Sequence, residues 1–412
     1  MISSHFINIL YAGSFLQCFF SLKINQIPDI TTNFQLLVSP VGTSMFTPRN
    51  SHASCVFKGK IWVVGGRTDP YTTYNLLSSY RVADVWSSSD GITWTQVTEL
   101  LGDFWAQNNN AKQPGPVAPW YARYGHSLTS VDINNDGIAD VMVLVGGYSP
   151  TPSNDVWFSE DGVTWVYGGL APWTPRAWHA ATVFQGKLLL TGGAPLNNEV
   201  WCLTNIYRHN IPPEPLTRSM KANITFTMTW HQYPNAPWAP RAGMGLVSQY
   251  YFDTAAQQTA SDSTERLLVI GGFGGWNVSD DAYDGTHGWS DVWQLNTTDY
   301  SWFCLTSSSL FGPRAWFGYT LMHGADPRFD IVSTASTQPP RFFLFGGGDV
   351  GSHTATHQEL YAVNGQMDAW WSRDMVRWTQ VNYEEGYGLN SPFANKGRHT
   401  SPVQYIHCFY SI

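Results

Sequence analysis

Six arginines, Arg49, Arg123, Arg176, Arg241, Arg314 and Arg398, recur at the same point of a repeated local pattern. A pattern copied at that scale means one supersecondary unit repeated along the chain. Such units bury their apolar faces on their own copies, which brings equivalent residues toward one another. Five of the six follow an aromatic residue by three positions, at Phe46, Trp120, Trp173, Trp238 and Phe311, whereas Arg398 follows Lys-Gly. Successive arginines lie 74, 53, 65, 73 and 84 residues apart by their numbers, so long loops must separate the shared parts.

Downstream of each arginine an alternating segment leads to an apolar run closed by two glycines: Trp62 to Gly66, Val143 to Gly147, Leu189 to Gly193, Val269 to Gly272 and Leu344 to Gly347. A β-run ended by glycines reads as a central strand leaving into a crowded turn. Asp-Val-Trp or a near copy follows, at Asp84, Asp155, Glu199, Asp291 and Asp368, and then a further tryptophan at Trp94, Trp165, Trp230, Trp302 and Trp378. Four short strands per unit are therefore predicted. In two units the last hairpin is explicit, because Asp90-Gly91 and Asp161-Gly162 supply the positive φ that a tight turn needs. With 37 Gly, 24 Pro and 15% aromatic residues, the composition agrees with an all-β chain of many short strands.

Pro-Arg, double glycine and two spaced aromatics together resemble kelch repeats, over about residues 46 to 405. The resemblance implies an all-β, six-bladed kelch-type β-propeller of four-stranded antiparallel blades, akin to the galactose oxidase central domain. A single domain over 1–412 is expected, with 46–395 forming five blades and 1–45 joining 396–412 in a closing blade. Phe6 to Gly13, Gln17 to Phe20 and Phe34 to Leu37 would be its strands. Such a join would remove sheet edges that invite aggregation. Residues 1–22 read alternatively as a signal peptide, although Met-Ile-Ser-Ser-His carries no Lys or Arg. Sequons at Asn223, Asn277 and Asn296 lean toward secretion, with the cytosol left open.

Acids outnumber Lys and Arg by 30 to 22, and a net charge of −8 argues against nucleic acid or an anionic membrane as partner. No apolar run is long enough for a spanning helix. The five cysteines, Cys18, Cys55, Cys202, Cys304 and Cys408, include no Cys-x-x-Cys pair, so neither a zinc site nor a dense disulfide framework is expected.

Two readings attach to the arginines. Each guanidinium ties strands together through backbone carbonyls, or several converge on one face and grip an anionic ligand by bidentate contacts. The kelch adaptors that the chain resembles take acidic peptides with arginines near this strand, which marks Arg49, Arg123, Arg176, Arg241, Arg314 and Arg398 as candidate ligand residues. Trp120, Trp173 and Trp238, in repeated Ala-Pro-Trp loops or close to them, join that set as stacking surfaces for a proline-rich peptide or a glycan, against packing under adjoining loops. Loops after the double glycines add Tyr71, Tyr74, Tyr80, Trp276, Tyr283, Trp289, His353 and His357.

Asp132, Asn134, Asp136, Ile138 and Asp140 space their oxygens like a tight calcium loop, with glycine after the fifth position. Structural calcium and an Asx-rich turn without metal are both open. Position twelve is Val143, so the segment is no EF-hand and resembles instead the short calcium loops of integrin-type propellers. The functional expectation is a non-catalytic, monomeric binding module for a protein or acidic peptide. A glycan-binding protein or an enzyme similar to kelch sialate mutarotases is the alternative.

Overall fold

The structure is a computed structural model that describes residues 8–13, 16–22, 34–38, 46, 49–68, 80–97, 120–210, 224–251, 264–277, 282–322, 341–349, 355–356, 368–380 and 407–408. Every regular element among them is a strand. By its contacts the chain divides into two compact units, 1–235 with 409–412, and 236–408.

Five antiparallel sheets, each built on a four-stranded meander, are β-propeller blades, not the six expected, and Ala355–Thr356 adds a fifth strand to the fourth of them. Blade 1 comprises Ala53–Phe57, Lys60–Val64, Val85–Ser88 and Thr95–Gln96. Blade 2 comprises Ser127–Val131, Val141–Ser149, Thr151–Ser159 and Val166–Leu170. Blade 3 comprises Ala180–Phe184, Lys187–Thr191, Val200–His209 and Thr225–Tyr233. These belong to the first unit. Blade 4, Gly245–Tyr251, Thr264–Asn277, Ala282–Leu295 and Trp302–Thr306, and blade 5, Gly318–Met322, Arg341–Phe345, Ala369–Ser372 and Thr379–Gln380, belong to the second. The sixth blade was to be completed by 396–412, of which 407–408 alone are described, as the short strand His407–Cys408. Asn8–Gly13, Leu16–Leu22 and Phe34–Val38 do form an antiparallel meander where strands were expected.

The second strand of each blade is apolar without alternation because both of its faces are covered. Val141, Val143 and Val145 join Leu188, Leu190 and Phe226 in one core between blades 2 and 3. Met142 and Leu144, pointing the other way, join Val64, Val85 and Trp165 in a second core between blades 1 and 2. Among the described residues no helix is long and apolar enough to cross a membrane.

Candidate functional site

The five described arginines, Arg49, Arg123, Arg176, Arg241 and Arg314, are all buried, and each is engaged inside its own blade. Arg123 shows the pattern: Nη1 donates to the Gly146 carbonyl at 2.8 Å, and the two Nη groups donate to Asp155 at 2.7 and 2.6 Å. Trp157 Nε1 donates to the same carboxylate at 2.7 Å. Arg49 repeats this with Gly65, Asp84 and Trp86, Arg241 with Gly271, Asp291 and Trp293, and Arg314 with Gly346, Asp368 and Trp370. Glu199 is one methylene longer than aspartate and meets Arg176 through one Nη, so Asn197 takes the other at 2.8 Å. Burial alone would raise the Asp155 and Glu199 carboxyls, yet the facing guanidinium holds both below the ordinary range.

In this arrangement the five described guanidiniums bond within the scaffold. Donors committed to buried carboxylates and carbonyls are not offered to an acidic peptide. Trp120, Trp173 and Trp238 are likewise interior, at 1 to 2% exposure. Each stands edge-on to the last tryptophan of its own blade: Trp120 to Trp165 at 4.4 Å, Trp173 to Trp230 at 5.9 Å and Trp238 to Trp302 at 4.5 Å. Phe46 with Trp94 at 5.0 Å and Phe311 with Trp378 at 4.8 Å do the same. The aromatic three positions before the arginine thus staples the outer strand of the blade to its entry segment. Each pair adds about 0.5–1.5 kcal/mol beyond area burial. Arg398, Tyr71, Tyr74, His353 and His357 lie outside the described residues, as do the side chains of Tyr80, Trp276 and Tyr283. Trp289 packs under the Arg241 guanidinium, 4.9 Å from its ring centre.

The double glycines join one blade to the next. At Gly146 φ is 59° and at Gly147 97°, and all five pairs repeat these left-handed values closely. A Cβ on Gly147 would lie 2.7 Å from that of His126 in the same blade, and one on Gly146 would lie 3.1 Å from the His179 ring of the next blade. Gly65 meets His126 and Gly271 meets Phe317 in the same way. Sequence reasoning passed over this residue, although Arg-x-x-His in three units signals it. His126 Nε2 contacts the Val64 carbonyl at 3.1 Å, and His179 Nε2 contacts Ser127 Oγ at 2.9 Å, so both rings tie blades together. Burial first, and the adjacent arginine second, lower both to about 3. A third Asp-turn was also missed: Asp374 accepts the Val376 and Arg377 amides as Asp90 and Asp161 do, with Met375 at φ 64° in the glycine position.

In the loop Asp132 to Asp140 the oxygens close the turn itself. Asp132 accepts the Asn135 and Gly137 amides at 2.7 Å each, Asp140 accepts Ile133 N at 2.8 Å, and Asp136 accepts Ile138 N at 2.8 Å, while Asn134 accepts Asp136 N at 2.9 Å. Among the described residues no group of three or more His, Cys, Asp or Glu is placed to hold a metal.

Among the described residues one partly exposed cluster is aromatic. In the first unit Tyr124, Tyr148 and Trp178 are half-buried and adjacent, with ring centres 5.3 and 5.6 Å apart. Arg67 lies over Tyr124 at 6.0 Å and pairs across a two-residue ribbon with Arg81. No carboxylate among the described residues pairs with Arg81. Blades 2 and 3 turn tightly here, the first through Pro150 and the second through Ala194 to Glu199.

No family model matches the chain. Over 258 residues, 60% of the chain, it is 26% identical to an adagio-like protein 2 and 24% identical to adagio-like protein 1, both of Oryza sativa subsp. japonica. The matched stretch spans 34% of each of those proteins, so the chain covers about a third of the relatives' length.

Proposed function

We propose that this chain is a kelch-type interaction module, non-catalytic, that takes an acidic segment of a protein partner on the Tyr124, Tyr148 and Trp178 face beside Arg81. One observation carries the reading: three adjacent, partly exposed aromatic rings with Arg67 over Tyr124, and Arg81 its partner across the ribbon, in a chain whose five described repeat arginines are spent internally. An aromatic platform supplies contact area at low entropic cost, and an arginine at its rim supplies directional recognition of a carboxylate. The propeller fold and the distant likeness to adagio-like proteins support a binding role.

The test is selection of a displayed random-peptide library on the purified chain. Enriched peptides should carry Asp or Glu beside an apolar residue, and Arg81→Ala and Tyr148→Ala should each weaken their binding about tenfold at unchanged melting temperature. A library that enriches nothing, or binders indifferent to both variants, removes the reading; enrichment on a glycan array instead would move the site to carbohydrate.

A further inference from the structure

The outer strand of blade 3 departs from its equivalents. Thr225–Tyr233 runs nine residues, against five in blades 2 and 4 and two in blades 1 and 5. The second strand of the blade pairs only with Val200 to Leu203, so Asn205 to His209 and Thr225 to Thr229 continue past it as a two-stranded ribbon. Five strand residues give that ribbon a length of about 16 Å. Among the described residues Thr225–Tyr233 pairs on one side alone, with Val200–His209.

Natural sheets guard such an edge with charge, proline or a glycine bulge. Thr-Phe-Thr-Met-Thr-Trp-His-Gln-Tyr contains no Lys, Arg, Asp, Glu, Pro or Gly. Its faces alternate from Thr225 to His231. Thr225, Thr227, Thr229 and His231 are exposed, whereas Phe226, Met228 and Trp230 pack on the core shared with blade 2.

We propose that this edge docks a second copy of the chain, the two Thr225–Tyr233 strands pairing antiparallel across a two-fold axis at Thr229. That register sets Thr229 against Thr229, Thr227 against His231 and Met228 against Trp230, so over the central five residues polar meets polar and apolar meets apolar, while Phe226 meets Gln232 and Thr225 meets Tyr233 at the ends. Self-pairing needs such complementarity, because a two-fold interface presents one surface twice. Charge selects the same place: two copies of a chain with net charge −8 repel, and this strand is a long edge carrying no charge of its own. Such an edge-paired dimer departs from the monomer expected from the sequence.

Sedimentation equilibrium of the full chain over a range of concentrations should show a reversible dimer. Thr229→Lys and Thr229→Glu place like charges opposite each other, and each should raise the dissociation constant about tenfold or more. Thr229 is exposed, so melting temperature should not change at dilutions where the chain is monomeric. An equimolar mixture of the two variants should restore the dimer, which a general loss of stability would not produce. A monomer at every concentration overturns the proposal, as does a dimer indifferent to both substitutions. Protection of the Thr225–Tyr233 amides by an added foreign peptide alone would also overturn it and assign the edge to another chain.

Discussion

The amide of Trp178 donates to the carbonyl of Gly125 at 2.7 Å, and a Cβ added to Gly125 would lie 3.1 Å from the Trp178 indole. Trp316 and Gly243 repeat the joint between blades 4 and 5, at 2.9 Å for both the hydrogen bond and the nearest indole atom. The residue two positions after each arginine is left-handed in every blade, at Ser51, Gly125, Trp178, Gly243 and Trp316, with φ between 51° and 65°. Where the following blade brings a tryptophan, the preceding blade supplies glycine.

Gly125→Ala should therefore destabilise the chain by roughly 2–3 kcal/mol, from left-handed strain and the indole contact together. Trp178→Ala in that background should remove the contact part and leave the strain, so the two substitutions should be non-additive. Urea midpoints of the four proteins check it, and strict additivity would contradict the joint.

Asp84→Ala should cost about 3–5 kcal/mol, because it strands the buried Arg49 guanidinium and the Trp86 N–H that share its carboxylate. Replacing both partners, as Arg49→Met with Asp84→Leu, should cost less than Asp84→Ala alone. Chemical denaturation of single and double variants decides the point.

Acid should destabilise the first unit in a window set by His126 and His179. Both fall from the ordinary 6.5 to about 3 in the folded chain, so the unfolded chain takes up their protons first. Their contribution is whole above pH 6.5 and declines toward pH 3, by up to about 1.4 kcal/mol per pH unit for each ring. The carboxylates held low, such as Asp155, lose their contribution only as pH falls from the ordinary 3.8 through their folded values, so the histidines alone set the slope nearer neutrality. Blade 5 places Phe317 at the equivalent position, so His126→Phe with His179→Phe should flatten the dependence between pH 7 and 5. An unchanged slope in melting curves would show that other groups govern it.

The Asp132 to Asp140 loop should hold its form without metal, since its own amides fill the carboxylate oxygens. Melting in calcium and in chelator should coincide, while Asp132→Ala should lower stability by about 1 kcal/mol in both. A calcium increment abolished by Asp136→Ala would instead establish the ion.

Much of the fold was legible because blade strands differ chemically from their connections. The apolar run before Gly146-Gly147, Asp155-Val-Trp157 and the Asp161-Gly162 turn each carry a local requirement of burial, pairing or φ. The Met375 turn escaped notice because a buried methionine occupies the left-handed position there, and burial outweighs the glycine preference.

The amino-acid order by itself determined the repeating unit: four strands, an arginine at the entry, paired glycines and spaced aromatics. Only the tertiary structure decided which way those arginines face. Arg123 finds Asp155 thirty-two positions away, and no local pattern tells whether a guanidinium reaches a neighbouring strand or open solvent. A buried charge must be matched where it lies, and the match is made by strands brought together from distant parts of the chain.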